Sequence, residues 1–261
     1  MDKFYMPLVE GLKEYNKKAP TRFHTPGHKG KVLRPLDTLG ENLFPWDLTE
    51  IKGLDDFFNP QGIIKMAQDR LSKLYNADNS FFLVNGATSG IIAMMVACLK
   101  PGDKILIPRN SHISILSGMI VTGAKPVYIN PEFSNDLCVS TQPSLESIER
   151  ALKENPDIKA ILITNPTYQG FCPDLGGIAH IAKKYSRLLL VDEAHGAHFA
   201  LNTKFPPSAG DFDVDIWVQS PHKMLLSLTQ TAWLHIKGEL IDAEKILQAL
   251  SLTTSTSPSY I

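Results

Sequence analysis

Cysteine is scarce and unpatterned in this sequence. Cys98, Cys138 and Cys172 are odd in number and show no CxxC spacing, which argues against a disulfide framework or a zinc knuckle and leaves core or incidental thiols. No stretch approaches the roughly 18 consecutive apolar residues of a membrane span. The opening Met1-Asp2-Lys3-Phe4-Tyr5-Met6 lacks a basic segment followed by an apolar core, so no secretory signal is expected. Neither sign of charge dominates: 26 basic and 27 acidic residues leave a formal net charge of −1, and the basic residues are scattered. Such a chain has no broad field for nucleic acid or an anionic membrane. Also missing are GxxxxGK(S/T) and a GxGxxG following a strand, the phosphate fingerprints of P-loop and dinucleotide-binding proteins. Internal repeats and low-complexity segments are absent too. Together these absences lead to the expectation of a cytoplasmic globular protein with neither nucleic acid nor membrane as partner. With 261 residues, 43% of them hydrophobic, there is length enough for a large core.

What is present is a periodic alternation. Leu8, Val9, Leu12 and Tyr15 predict a docking helix that ends at Ala19-Pro20. Thr25-Pro26-Gly27-His28-Lys29-Gly30 reads as a turn-rich, solvated loop. From Pro35 to Pro60 the chain reads as irregular, rich in acids and aromatics, a long connection of the kind that lines a site. Ile64, Ala67, Leu71 and Leu74 then share a helical face ending near Asn76. Strands are predicted at 81–84, 104–107, 126–129, 160–164, 188–191, 216–219 and 231–236. Helices are predicted at 91–99, 111–121, 145–153, 178–185 and 240–250. Strands alternating with helices predict an α/β fold: a mainly parallel sheet with helices on both faces. The domain reading is an N-terminal segment with irregular connection at 1–60, a large ligand-binding domain at 61–250, and the start of a further C-terminal region at 251–261.

Two of these strands organise the rest. Leu188-Leu189-Leu190-Val191 delivers Asp192-Glu193-Ala194-His195-Gly196, and Ile216-Trp217-Val218-Gln219 delivers Ser220-Pro221-His222-Lys223. As parallel strands they would present Asp192 and Lys223 on the carboxyl rim of the sheet, where open α/β folds bind ligands. The strand at 81–84 leads into Asn85-Gly86-Ala87-Thr88-Ser89-Gly90 and a helix, the ingredients of an anion site; simple N-capping by Thr88 or Ser89 is the alternative. Val191-Asp192-Glu193-Ala194-His195 matches a helicase acidic box by letter, but that box needs the absent P-loop. His195, His198 and His222 lack the thiolate or carboxylate that would complete a metal set, so no metal is expected. A phosphate cradle, a buried acid and a lysine together suit pyridoxal 5′-phosphate, which needs an anion site, a carboxylate for its ring nitrogen and an amine for a Schiff base.

With these motifs in order the chain resembles the Orn/Lys/Arg decarboxylase class-I family, pyridoxal-phosphate enzymes of the aspartate-aminotransferase-like fold (fold type I). The resemblance runs through Thr25–Gly30, Leu54-Asp55-Asp56, Val84–Ser89, Arg109-Asn110-Ser111-His112, Val191–His198 and Gln219–Lys223 to Thr254-Ser255-Thr256-Ser257-Pro258. It implies that Lys223 is the Schiff-base lysine, that Asp192 pairs with the pyridinium nitrogen, and that His112 stacks on the ring opposite Ala194. Ala87, Thr88, Ser89 and Ser220 match cofactor-binding positions, and Thr256 belongs to a region that reaches the phosphate of a neighbouring subunit. His195 and His222 match reaction-centre positions, with His222 or Lys223 as proton donor. The implied activity is α-decarboxylation of arginine, lysine or ornithine to the amine, a step toward polyamines. A homodimer or larger homo-oligomer is implied, with the aromatic-rich Pro35 to Pro60 segment expected in the contact. Two departures are visible: Pro221 stands where the family often has Thr, and Ile113 where Lys is common. Family members are also longer, so the chain is expected to be truncated at its C-terminus and impaired on its own. Other fold-type-I enzymes, such as an aminotransferase or lyase, and a non-catalytic cofactor-binding fragment are the alternatives.

Overall fold

The computed structural model describes residues 5–24, 26, 28–31 and 43–261. The chain divides into two compact units, Met1–Leu71 with Thr254–Ile261, and Ser72–Thr253.

In the first unit, helix α1 (Pro7–Lys17) carries the predicted stripe. Leu12 and Tyr15 are buried against Leu48, with Trp46, Ile51, Leu54 and Tyr260 packed around them. A short turn, α2 (Leu43–Trp46), interrupts the stretch expected to be irregular. Residues 35–42 of that stretch lie outside the described residues, as do Thr25 and Gly27. Of its aromatics, Phe57 is 7% exposed and Trp46 packs on the α1 core. His28 is not simply solvated, for its Nε2 lies 3.1 Å from the Asp47 carboxylate. Asp55 Oδ2 accepts the N–H groups of Gly62 at 2.8 Å and Ile64 at 2.9 Å, capping helix α3 (Ile63–Leu74) from outside. Burial pushes the Asp55 carboxyl up, but these and neighbouring backbone N–H groups outweigh it and hold it below the ordinary range.

The second unit is built on β1 (Asn79–Leu83), α4 (Gly86–Cys98), β2 (Lys104–Pro108), α5 (Ile113–Thr122), β3 (Lys125–Ile129), β4 (Phe133–Ser134), β5 (Val139–Ser140), α6 (Leu145–Glu154), β6 (Ile158–Thr164), α7 (Leu175–Lys184), β7 (Leu188–Asp192), β8 (Ile216–Gln219), α8 (Pro221–Met224), β9 (Ala232–Ile236) and α9 (Ala243–Thr253). Its main sheet has the order β1-β9-β8-β7-β6-β2-β3. Pairing is parallel throughout β8, β7, β6, β2 and β3, and antiparallel where β9 meets β8 and β1. Helices α4, α5 and α9 pack together, and α6 packs with α7. Strands covered on both faces must be apolar at every position, and Leu189, Leu190, Val191, Ile216, Trp217 and Val218 are all 0% exposed.

Two differences from the sequence reading have physical causes. Helix α4 begins at Gly86 instead of 91, because the glycine and hydroxyl segment that reads as a turn forms its first turns. Gly90 is needed inside that helix, since a Cβ there would lie 2.4 Å from Leu83 Cδ1 and 3.2 Å from Val218. The hairpin of β4 with β5 was not anticipated, its strands being only two residues each.

A short 3-10 turn, Ala209–Asp211, follows Ser208, whose hydroxyl and backbone form a capping box with Asp211. A Cβ on Gly210 would sit 2.0 Å from the Tyr75 carbonyl oxygen, which is backbone and cannot swing aside. Gly210→Ala is therefore expected to destabilise the protein by about 1–3 kcal/mol through overpacking, read as a lowered midpoint in urea with an unchanged slope.

Candidate active site

A cleft of about 880 Å³ opens at the carboxyl ends of β1, β6, β7 and β8. Asp192, the last residue of β7, and Lys223, in the α8 turn that follows β8, both line it, as the parallel pairing of the two strands requires.

Its first wall is the start of α4. Gly86 has φ +70°, a conformation that favours glycine, and its N–H donates to Gln230 O at 3.0 Å. Ala87 and Thr88 line the cleft, and as first-turn residues their N–H groups have no acceptor within the helix. The helix dipole adds partial positive charge there, so an anionic group is favoured without any cationic side chain. Ser89 points elsewhere. Its hydroxyl donates to Gly86 O at 2.8 Å, it is 3% exposed, and it does not line the cleft. Neither Thr88 nor Ser89 caps the helix, because the capping position falls to Asn85.

Asp192 is 3% exposed and accepts one hydrogen bond, from Ala194 N–H at 3.1 Å. Burial pushes its carboxyl above the ordinary range, and the Ala194 N–H, Lys223 and His112 pull it back only in part. Lys223 Nζ donates to His195 Nε2 at 3.2 Å. Burial first, then the nearby Lys223 and His112, lower the pKa of His195, so this ring accepts as a neutral imidazole. Tyr168 stands edge-on to it at 5.7 Å.

His112 caps α5: its Nδ1 accepts from Ser114 N–H at 3.2 Å, which fixes the ring edge where it lines the cleft. Ala194, Ser220 and His222 line the same space. Ser220 Oγ is buried with no hydrogen-bond partner, and so is Thr164 Oγ1, which also lines the cleft. Buried hydroxyls left unpaired cost about 1–3 kcal/mol each, so both lack the partner that such a group ordinarily has. Thr256 lies in the other unit, exposed, and is not among the lining residues.

Two residues were missed by the sequence reading. Thr164 ends β6 and pairs in register with Asp192, so its strand-end position was the available signal. Glu193 is 0% exposed and holds four donors, from Asn165, Ser208, Ala209 and Gln219. Burial pushes its carboxyl up to about 7 against the pull of these donors. No group of three or more His, Cys, Asp or Glu able to hold a metal ion occurs among the described residues.

The sequence model of the family described as "Orn/Lys/Arg decarboxylase, major domain" matches residues 6–261. The chain belongs to this family. It is 42% identical to an arginine decarboxylase of Bacillus subtilis over 264 residues, a match covering all of this chain and 54% of that protein. Among solved structures, lysine decarboxylase A from Pseudomonas aeruginosa superposes with a TM-score of 0.87 at 28% identity, covering 97% of this chain and 38% of that one. An aspartate aminotransferase from Thermotoga maritima gives a TM-score of 0.56 at 19% identity over 96% of this chain and 58% of that one, a likeness of fold alone. The chain thus spans about half the length of the curated relatives it matches. Family membership accounts for the α/β fold of type I, with its mainly parallel sheet.

The raised pKa of Asp192 makes a prediction for this family member without added ligand. An acid whose folded pKa lies above its unfolded value loses stability as pH rises from the ordinary carboxylate range through the folded pKa. Asp192→Asn removes that penalty and keeps an oxygen for the Ala194 N–H. The variant should therefore melt higher than the parent at pH 7, with the difference vanishing near pH 4. An equal melting temperature at pH 7 would mean that Asp192 is not strained by burial.

Proposed function

We propose that the cleft binds pyridoxal 5′-phosphate and that the chain forms the cofactor-binding part of a decarboxylase of basic amino acids. One observation carries this: an amine, a buried acid and a helix N-terminus, Lys223, Asp192 and the start of α4, line one cleft beside the orphaned hydroxyl of Ser220. The donor set fits the group. The phosphate would be held by the N–H groups of Ala87 and Thr88 and by Ser220 Oγ, the ring nitrogen by Asp192, and the ring face by His112, with the small Ala194 leaving room on the other face. When bound, the cofactor supplies a sink for the electron pair of the bond to the departing carboxylate.

The chain's own residues account for the rest. Asp192, ionised once a cation faces it, would hold a proton on the ring nitrogen, because an adjacent negative charge favours the protonated form. Lys223 would supply the amine that holds the cofactor. Lys223 or His222 returns a proton to the carbon that has lost carbon dioxide. His195, neutral beside Lys223, accepts the hydrogen bond that orients the amine. Arginine is the first substrate to test, since the relative at 42% identity is named an arginine decarboxylase; lysine and ornithine follow. A cytoplasmic site of action accords with the fact that no described helix is long and apolar enough to cross a membrane.

Borohydride reduction of the protein incubated with pyridoxal phosphate should fix a pyridoxyl mass on the peptide containing Lys223, and Lys223→Ala should abolish it. A label on Lys29 or Lys237 instead would sink the assignment. Release of labelled carbon dioxide from arginine, lysine or ornithine, compared with amino-group transfer, separates a decarboxylase from an aminotransferase or a non-catalytic binder.

A homo-oligomer is part of the same proposal, supported by α5. Ile113, Leu116, Ile120 and Val121 are 69%, 45%, 75% and 61% exposed, a continuous apolar stripe on a helix that starts at the cleft. A two-fold contact would bury both copies. Ile120→Glu is expected to shift sedimentation toward the monomer while leaving the fold intact by circular dichroism.

A further inference from the structure

Among the described residues Glu193 is the one buried acid that the chemistry above does not use. Its two oxygens accept from four separate places: Oε1 from Asn165 Nδ2 at 2.9 Å and Ala209 N–H at 2.7 Å, Oε2 from Ser208 Oγ at 2.8 Å and Gln219 Nε2 at 2.6 Å. Asn165 follows β6, Gln219 ends β8, and Ser208 and Ala209 come from the loop between β7 and β8. The backbone of the same turn is also fastened to β8, since Glu193 N–H donates to Val218 O at 2.9 Å and Ser220 N–H to Ala194 O at 3.3 Å.

The network runs deeper and has a direction. Gln219 Oε1 faces His235 Nε2 at 3.1 Å, His235 Nδ1 faces Ser80 Oγ at 2.7 Å, and Ser72 Oγ donates to Ser80 Oγ at 2.9 Å. His235 is fully buried and stacked on Trp217 at 5.0 Å, and burial lowers its pKa to about 3, so the ring is neutral with one N–H. With that proton on Nε2, every link donates toward Glu193: Ser72 to Ser80, Ser80 to His235, His235 to Gln219, Gln219 to Glu193. Four donors on two oxygens leave a carboxyl proton nothing to be given to. The arrangement is therefore that of an anion whose charge is spread over hydrogen bonds instead of a cation.

We infer that Glu193 is a positioning residue for the proposed reaction: its carboxylate ties the ends of β6 and β8 to the turn carrying Asp192, Ala194 and His195, and so sets the acid and the imidazole relative to Lys223. This rests on the reading of the cleft given under Proposed function. Glu193 does not line the cleft. Its influence on the amine passes through His195, two residues along the turn and 3.2 Å from Lys223 Nζ.

The test compares Glu193→Gln with the double variant Glu193→Gln/Gln219→Glu and with Ile148→Val, a buried change in α6 expected to lose about 0.5–1.5 kcal/mol of stability. In Glu193→Gln an amide nitrogen meets donors where an oxygen accepted. In the double variant a carboxylate at 219 again accepts from His235 and from the amide at 193. The first readout needs no cofactor: the pH midpoint at which the Lys223 amine reacts with acetic anhydride, followed by mass spectrometry. The second is kcat for carbon dioxide release. Glu193→Gln should move the midpoint by about half a pH unit or more and lower kcat about tenfold, with the double variant recovering most of both. Ile148→Val should lower the melting temperature and move neither. A Glu193→Gln protein with a lowered melting temperature but the parent's midpoint would overturn the inference and leave Glu193 a structural residue. A shifted midpoint in a protein whose Lys223 is never trapped by borohydride would sink the cofactor reading and leave the positioning role standing.

Discussion

Adjacent carboxyl groups end β7 inside the protein, Asp192 at 3% exposure and Glu193 at 0%. Neither has a buried cation against it. A carboxylate taken out of water is unfavourable by several kcal/mol unless hydrogen bonds or opposite charge replace its hydration, so much of the surrounding architecture is an answer to these two groups. They are answered differently. Glu193 is saturated by donors drawn from three segments, whereas Asp192 receives a single N–H and keeps its remaining lone pairs toward the cleft. Successive residues at a strand end point to opposite faces, which is why one of the pair can become scaffold and the other can face a ligand.

The opposite rim of the cleft solves the complementary problem. Among the lining residues Lys223 is the sole lysine or arginine, so the proposed phosphate would have to be held by other donors. Backbone N–H groups at the start of α4 take the place of cationic side chains, and the positive φ of Gly86 lets the chain enter the helix at the required angle. A near-neutral chain with scattered basic residues is therefore compatible with a phosphate site. The composition argued only against long-range attraction of polyanions, and a helix end acts over about one turn.

The sheet was legible because burial on both faces demands unbroken apolar runs, and Leu188–Val191 and Ile216–Val218 are such runs. Direction is not written in that pattern, so the antiparallel setting of β9 was invisible. The start of α4 was misplaced because Gly-Ala-Thr-Ser-Gly has turn composition; close packing of Gly90 against Leu83 and Val218 overrides it. That the candidates Asp192 and Lys223 would line one cleft was legible for the same reason as the strands. The inward turn of Ser89 to Gly86 O, one helical position beyond Thr88, was not readable from the segment's composition. Glu193 was unreadable in principle: its partners Asn165, Ser208 and Gln219 are separated from it by 28, 15 and 26 positions, and only the folded chain brings them together.

The cleft has unmet needs of both signs. Burial disfavours the ionised form of Asp192, the N–H groups of Ala87 and Thr88 have no acceptor within their helix, and Ser220 Oγ has no hydrogen-bond partner. A cation alone would relieve Asp192 and leave the donors idle; an inorganic anion alone would do the reverse and, through its charge, leave Asp192 no easier to ionise. A ligand carrying a protonatable ring nitrogen at one end and a phosphate at the other meets both at once. Binding of such a ligand to the folded state alone adds stability in proportion to the logarithm of its concentration over Kd. In the proposed reading, the instability built into Asp192 is thus the source of preference for that kind of ligand over its fragments.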